Sequence, residues 1–359
     1  MPVRTPLMTR LGIDLPIIQA PMAGGGDTPE LVAAVAEAGG LGSAGATYLT
    51  PEALRAASST VRSRTNRPFA VNLFAPQAVP PRPDDGAAAV AAVTEAGAAV
   101  DAPPAELPET MADPFERNFP IALDSGASVF SFTFGLLPDD AVQALKARGI
   151  FIMGTATSPA DAVALERSGV DAVVAQGAEA GGHRGIFDGA SGDPLIGTMA
   201  LVPQVVDAVS VPVVASGGIM DGRGIAAALA LGAQAVQMGT AFLTCAEAGP
   251  PECYKQALLD AGPDQTRITR AFSGRPARGI VNRFMDRIEG PDAAAGPLPF
   301  PWQNALTRPM RTAAARAGDA GLLSLWAGQG VGLSRRTTAA DLMARLAAET
   351  EAAVRGIGI

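Results

Sequence analysis

The chain is poor in the side chains that usually carry metal or nucleophilic chemistry. Among 359 residues there are one histidine, two cysteines, two tryptophans and two tyrosines. Cys245 and Cys253 cannot build a disulfide framework or a zinc knuckle. With His183 as the one imidazole, a histidine-based metal site is disfavoured, and no metal is expected. Positive charge is also short: 27 Lys and Arg stand against 35 Asp and Glu, a net charge of −8. That balance disfavours nucleic acid and anionic membranes as partners. No apolar run approaches the roughly 18 residues of a membrane span. The alanine-rich stretch 86–100 is interrupted by Thr94 and Glu95. The opening MPVRTPLMTRLGIDLPII is broken by Pro2, Pro6, Arg10, Asp14 and Pro16, so no secretory leader is read there and a cytoplasmic location is expected. There is no G-x-x-x-x-G-K-[ST] phosphate loop and no G-x-S-x-G elbow. Gly24-Gly25-Gly26 fails the dinucleotide fingerprint because Pro29 stands where its third glycine belongs.

What is present is a chain with 48% hydrophobic and 17% charged residues, enough for a large core. Short Val-, Ile- and Phe-rich runs at 16–20, 40–44, 69–73, 128–132, 150–154, 171–175, 212–216 and 233–238 alternate with alanine-rich helical patterns. Continuous apolar runs such as VPVVA and DAVVA suit parallel strands covered on both faces. Thr28-Pro29-Glu30, Thr50-Pro51-Glu52 and Ser158-Pro159-Ala160-Asp161 each read as a helix start. Eight βα repeats predict a TIM (β/α)8 barrel, with an open doubly wound sheet as the alternative. A plain barrel needs about 250 residues, leaving about 110 over. The surplus falls in two stretches, giving a barrel from 1–75 and 122–246, mostly helical lid insertions at 76–121 and 247–309, and a C-terminal segment 310–359 packing back on the barrel. The first insertion either covers the active end or is decoration.

The 41 glycines cluster at strand ends. Gly217 and Gly218 follow Ser216 in the seventh loop, and Gly239-Thr240 follows Gln237-Met238 in the eighth, where barrels usually hold phosphate. Their N–H groups could hold a dianion, or simply make tight turns. Asn72, Gln176, Gln19 and Gln237 place amides at strand ends, able to meet a heterocycle with donors and acceptors. Amides plus a phosphate clamp suit flavin mononucleotide (FMN). The turn Trp326-Ala327-Gly328-Gln329-Gly330 either brings a further amide to the ring or anchors the C-terminal helix. His183, in a glycine-rich loop after strand six, is the candidate catalytic residue, suited to proton transfer near neutral pH. Arg184 either binds an anion or pairs with Asp188 or Asp193.

Together QAPMAGG, VNLF, AQGAEAGGHRG, ASGGIMDGRG, AVQMGTAF, SGRPARG and WAGQG resemble the class I nitronate monooxygenases, formerly 2-nitropropane dioxygenases, across nearly the whole chain. The resemblance implies a barrel with an added helical domain, non-covalent FMN, and oxidation of alkyl nitronates such as propionate 3-nitronate by O₂ to a carbonyl compound and nitrite. It implies FMN against Pro21, Met22, Asn72, Gln176, Gly181, Gly182, Gly217, Gly218, Met238, Gly239, Thr240 and Gln329, with Ser216, Gln237 and Trp326 alongside. His183 falls on the family's active-site histidine, stabilising the anion or removing an α-proton. The sequence departs from some relatives at Thr133, where SFTFG replaces a second histidine, and at Phe300, Asn304 and Arg308, which stand for tyrosines and a lysine. A monomer or homodimer is expected. The rival on the same scaffold is an FMN-dependent NAD(P)H oxidoreductase, an enoyl-ACP or quinone reductase. A flavin-free barrel lyase or isomerase and a non-catalytic flavin module are more distant alternatives.

Overall fold

The computed structural model describes residues 3–187, 192–291, 293 and 296–356. Eight parallel strands run in chain order: β1 (Ile17–Gln19), β2 (Gly42–Gly45), β3 (Phe69–Phe74), β4 (Val129–Thr133), β5 (Phe151–Ala156), β6 (Ala172–Gln176), then, after a two-residue β7 (Gly182–His183) outside the barrel, β8 (Val213–Ser216) and β9 (Ala235–Met238). Each pairs with its neighbour, and β9 pairs with β1. A parallel bridge between Ile18 and Leu41 closes β1 onto the start of β2. The sheet is therefore a barrel and not an open doubly wound sheet. The eight expected strands all form, with ends shifted by one or two residues, as helix and strand boundaries commonly are.

The helix starts follow from local chemistry. Thr28, Thr50 and Ser158 accept from the amides of Leu31, Ala53 and Asp161, with proline at the first helical position each time. Such a cap is worth about 1 kcal/mol. Along β1 the period-two rule sends Ile17 to the outer core beneath the helices and Ile18 to the barrel interior. The interior also takes Met153, Val174, Val214 and Ala235, and the helix Pro6–Leu11 adds Leu7, Met8 and Leu11 to the same cluster.

A second core lies outside the barrel. It gathers Val93 from the helix Ala87–Ala98, Phe284 from the helix Arg283–Glu289, Trp302, Leu306 and Met310 from the helix Trp302–Ala317, and Leu322, Leu325 and Val331. Two expected boundaries are thereby corrected. Residues 310–331 join this lobe instead of packing back on the barrel, because a boundary at 309 would cut the helix Trp302–Ala317 through its apolar face. Within the first insertion, the helix Phe115–Leu123 buries Phe115 and Ala122 in the barrel core instead. The helix Ala339–Gly356 packs back, placing Leu342, Met343 and Leu346 in the barrel's outer core.

The lobe is not all helix. β10 (Thr266–Thr269) and β11 (Ala277–Ile280) form an antiparallel pair, and β11 pairs with β7, setting Ala277 opposite His183 and Arg278 opposite Gly182. The glycine-rich loop after β6 is thus a strand of the lobe's sheet.

Candidate active site

A cavity of about 840 Å³ opens where the C-terminal ends of the barrel strands meet the lobe. That volume lies within the range of small-molecule and cofactor sites. One wall is glycine. Gly217 has φ +113° and Gly218 φ +71°, conformations that L side chains rarely adopt. Among the described residues none accepts a hydrogen bond from the amides of Gly217, Gly218, Gly239 or Thr240, all of which line the cavity. Four unmatched backbone donors on residues that line one concavity suit an anion such as a phosphate. The cup is braced from behind. Thr198 Oγ1 lies 2.9 Å from both the Gly217 carbonyl and Glu179 Oε2, and Glu179 also accepts from the Thr198 amide. The turn 326–330 closes the side: Gly328 donates to Thr240 Oγ1 at 3.0 Å and Gln329 N to the Glu179 carbonyl at 2.9 Å. A Cβ on Gly181 would stand 2.5 Å from the Gly328 nitrogen, so only glycine lets these loops meet.

Pro21, Met22, Asn72, Gln176, Gly181, Gly182, Ser216, Gln237, Met238 and Trp326 also line the cavity. The four strand-end amides do different work. Gln176 Oε1 accepts from Gly185 N at 2.8 Å and Arg184 at 3.0 Å, while its Nε2 donates to the His183 carbonyl at 3.1 Å. Asn72 donates to Ser131 Oγ at 2.9 Å. Gln19 is fully buried and holds the Ser43 backbone, away from the cavity. Gln329 is exposed and off the cavity wall, a correction to its expected place; Gly328 and Gly330 bring that turn to the cavity instead. Trp326 does not anchor the C-terminal helix: its ring sits 5.5 Å from His183 and 5.7 Å from Phe272.

Asp27 lies under the β1 loop and accepts from Met22 N at 2.5 Å and Gly45 N at 2.9 Å. Burial pushes its carboxyl up to about 7 against the pull of those two amides.

Arg184 is wholly buried and structural. Its guanidinium pairs with Asp193 at 2.5 Å and donates to the carbonyls of Gln176 and Gly177. Of its expected partners Asp193 is therefore the one seen, and Asp188 lies outside the described residues. Arg184 is not available to a ligand.

His183 lines the cavity, among the rings of Phe74, Phe134, Phe300 and Trp326. Its Nε2 lies 2.8 Å from Ser273 Oγ. Burial, then the positive charges of Arg275 and Arg311, push the imidazole down to about 3. At working pH the ring is neutral, so it does not attract an anion by charge. Arg275 stacks 3.8 Å from the Phe134 ring centroid and reaches Gln77 and the Ile186 carbonyl.

The wall contributed by the lobe is cationic. The helix Trp302–Ala317 presents Asn304, Arg308, Arg311 and Arg316 to the cavity. Arg308 lies 5.1 Å from the Tyr48 ring centroid, and Arg311 donates to Asn304 Oδ1 at 2.8 Å. Burial pulls Arg311 down to about 10. The Tyr48 hydroxyl and Arg311 Nε are buried with no hydrogen-bond partner among the described residues. Two unmatched polar groups in one cavity are costly without a ligand to meet them. Tyr254 closes this side, its hydroxyl donating to the Trp326 carbonyl at 2.8 Å. Thr133 lines the cavity beside Gly185.

Tyr48, Arg311, Ser273, Arg275 and Asp27 were not read as site residues from the sequence. The motif SGRPARG contains Ser273 and Arg275 and was the available signal.

A family model described as nitronate monooxygenase matches residues 5–349. A probable nitronate monooxygenase of Bacillus subtilis is 42% identical over 324 residues, covering 90% of this chain and 92% of that protein. One from Staphylococcus aureus is 41% identical over 344 residues, 95% of each chain. Among solved structures, a nitroalkane oxidase from Streptomyces ansochromogenes is 44% identical, with TM-score 0.88 over 98% of this chain and 99% of that one. FabK from Thermotoga maritima is 31% identical, with TM-score 0.77 over 99% and 98%.

Proposed function

The chain belongs to the nitronate monooxygenase family, and from that premise we propose that it binds FMN and oxidises alkyl nitronates with O₂ to carbonyl compounds and nitrite. What supports this reading is a single cavity with two unlike walls. One is a glycine cup with four unmatched amide donors; the other carries arginines and an unmatched tyrosine hydroxyl.

Gly217, Gly218, Gly239 and Thr240 would hold the FMN phosphate, and Pro21, Met22, Asn72, Gln176, Gly181, Gly182, Ser216, Gln237, Met238 and Trp326 would surround the rest. Bound FMN supplies the electron transfer between nitronate and O₂. The protein's own part is positioning and charge. Arg308 and Arg311 draw an anionic substrate in, and the Tyr48 hydroxyl and Arg311 Nε–H are the donors turned toward it. A nitronate that also carries a carboxylate, such as propionate 3-nitronate, matches this wall better than a simple alkyl nitronate. Phe74, Phe134, Phe300 and Trp326 exclude water around His183. The catalytic residue of this reading is His183, the titratable ring on the cavity wall.

The test is to purify the protein, identify the flavin released on denaturation, and assay nitrite from propionate 3-nitronate and propyl-1-nitronate in air without reduced nicotinamide. Nitrite formation with FMN bound is expected. Rapid anaerobic bleaching of the flavin by NADH or NADPH, with no nitrite from nitronates, would transfer the assignment to a reductase of the FabK kind, the scaffold neighbour at 31% identity.

A further inference from the structure

Among the described residues Asp27 is the one acid on the cavity wall, opposite Arg308, Arg311 and Arg316. Its two oxygens are used unequally. Oδ2 takes both backbone amides, Met22 N at 2.5 Å and Gly45 N at 2.9 Å. Oδ1 has no hydrogen-bond partner among the described residues. One oxygen thus ties the β1 loop to the end of β2, and the other is left for what fills the cavity. Gly45 stands opposite Asn72 in the register of β2 and β3. The free oxygen therefore belongs to the stretch of wall that holds Met22 and Asn72, both set around FMN in the reading above. No charged side chain offsets this carboxyl: burial pushes it up to about 7, and only the two amides pull against that. Its own loop, 20–28, has no other titratable group. Glu30, on the helix Pro29–Glu37, pairs with Arg64 at 2.7 Å. Glu247, whose carbonyl accepts from Thr28, turns its carboxylate to the Ala339 amide. On the rest of the wall His183 is pushed down, and Tyr48 and Tyr254 are pushed up, so all three are neutral at working pH.

We propose that Asp27 is a redox-linked proton acceptor: its free Oδ1 binds a proton from solvent as bound FMN is reduced, and then donates toward the negative charge that reduction brings. The inference rests on the FMN reading above. An electron leaves the nitronate and arrives on the cofactor, and a proton leaves water and forms an O–H bond at Oδ1. Oδ2 keeps both amides throughout. The physical reason is that two like charges in a dry cavity repel strongly, so added negative charge favours the neutral acid. Linkage makes the effect reciprocal. If reduction favours the protonated carboxyl, an ionised carboxyl must oppose reduction by the same factor. Above the titration of Asp27 the cofactor is therefore harder to reduce, and below it this opposition vanishes.

Asp27→Asn keeps an oxygen for the two amides and turns a permanent N–H donor to the cavity, as the protonated acid would. The test is stepwise dithionite reduction of the FMN-loaded proteins against a reference dye, at about pH 5.5 and pH 8.5, on either side of the carboxyl's titration. At the higher pH the wild-type equilibrium should be about tenfold less favourable to reduction than that of Asp27→Asn, a two-electron midpoint about 30 mV lower. At the lower pH the two midpoints should coincide. The flavin's own protonation is common to both proteins and drops out of the comparison. An equal difference at both pH values would mean that Asp27 only shapes the loop, and no difference at either would mean that Oδ1 does not face the flavin; each overturns the proposal. A second measurement needs no variant. The reduced-minus-oxidised infrared spectrum of ¹³C-aspartate-labelled wild type at the higher pH should gain the C=O band of a protonated carboxyl. Its absence overturns the proposal even if Asp27→Asn fails to load. A wild-type chain that binds no FMN sinks the underlying reading as well, whereas the other outcomes leave that reading standing.

Discussion

Replacing Arg184 by methionine removes the charge that ties the His183 loop to the barrel while keeping most of the apolar stem. The side chain is 0% exposed and its partner Asp193 10% exposed, so the ion pair is shielded from solvent. Removing one member of a buried pair typically costs about 3–5 kcal/mol, since the other is left buried and unmatched. The carbonyls of Gln176 and Gly177 lose a donor at the same time. The expected loss in Arg184→Met is thus about 3–5 kcal/mol in urea unfolding at saturating FMN. In Arg184→Met/Asp193→Leu at least half should return, because no charge is then stranded. A pH signature accompanies the loss. Burial pushes the Asp193 carboxyl up, but the Arg184 hydrogen bond and the Leu195 amide outweigh it and hold it below its ordinary value. A carboxylate held low contributes stability above its unfolded pKa, and that stability is lost as pH falls through the folded one. The difference between wild type and Arg184→Met should accordingly shrink below about pH 4. A cost under about 0.5 kcal/mol, or strictly additive single and double mutants, would refute the reasoning.

His183, pushed down to about 3, should give no step in kcat/KM near 6.5; a step there that His183→Asn removes and Asp27→Asn leaves would contradict the neutral ring. Its stability contribution is present above the unfolded value near 6.5 and is lost as pH falls toward 3, readable as a falling Tm in that window. Gly217→Ala places a side chain at φ +113° with its Cβ 2.9 Å from Thr198 Oγ1. FMN affinity, followed by flavin fluorescence, should drop by about tenfold or more, and an unchanged Kd would rule out a phosphate at this loop. Arg308→Met should raise KM for propionate 3-nitronate about tenfold and hardly change it for propyl-1-nitronate; equal effects on both would mean that Arg308 does not face the carboxylate.

The barrel was legible because its signals are local. Proline after Ser or Thr opens a helix, glycine closes it, and a Val-rich run with no alternation is covered on both faces. The glycine cup was legible for the same reason, since positive φ leaves a mark on residue choice at Gly217 and Gly218. The lobe was harder. Its sheet joins β7 to β11 across almost a hundred residues, and two residues of strand carry no periodic signal. Tyr48 and Arg311 are far apart in sequence and ordinary in composition; only the fold makes them neighbours. Gln329 shows the opposite error: the motif around it mattered, but its backbone rather than its amide reached the cavity. The extent of the lobe was hidden for a like reason: the helix Trp302–Ala317 runs through residue 309, and Leu306 and Met310 continue one apolar face across it into a core assembled from distant segments.

The seam between β7 and β11 has an evolutionary and engineering consequence. The barrel owns the glycine cup, and the helix Trp302–Ala317 owns the cationic wall, so grafting that helix from a relative should exchange substrate preference while leaving cofactor affinity in place. The histidine does not sort this way. Its backbone is stitched to Ala277 and its ring to Ser273, so a graft that also replaces the 266–280 hairpin must bring its own anchor for an imidazole that the barrel supplies. Diversification of the family's substrates is therefore expected to run through the helix and to spare the hairpin.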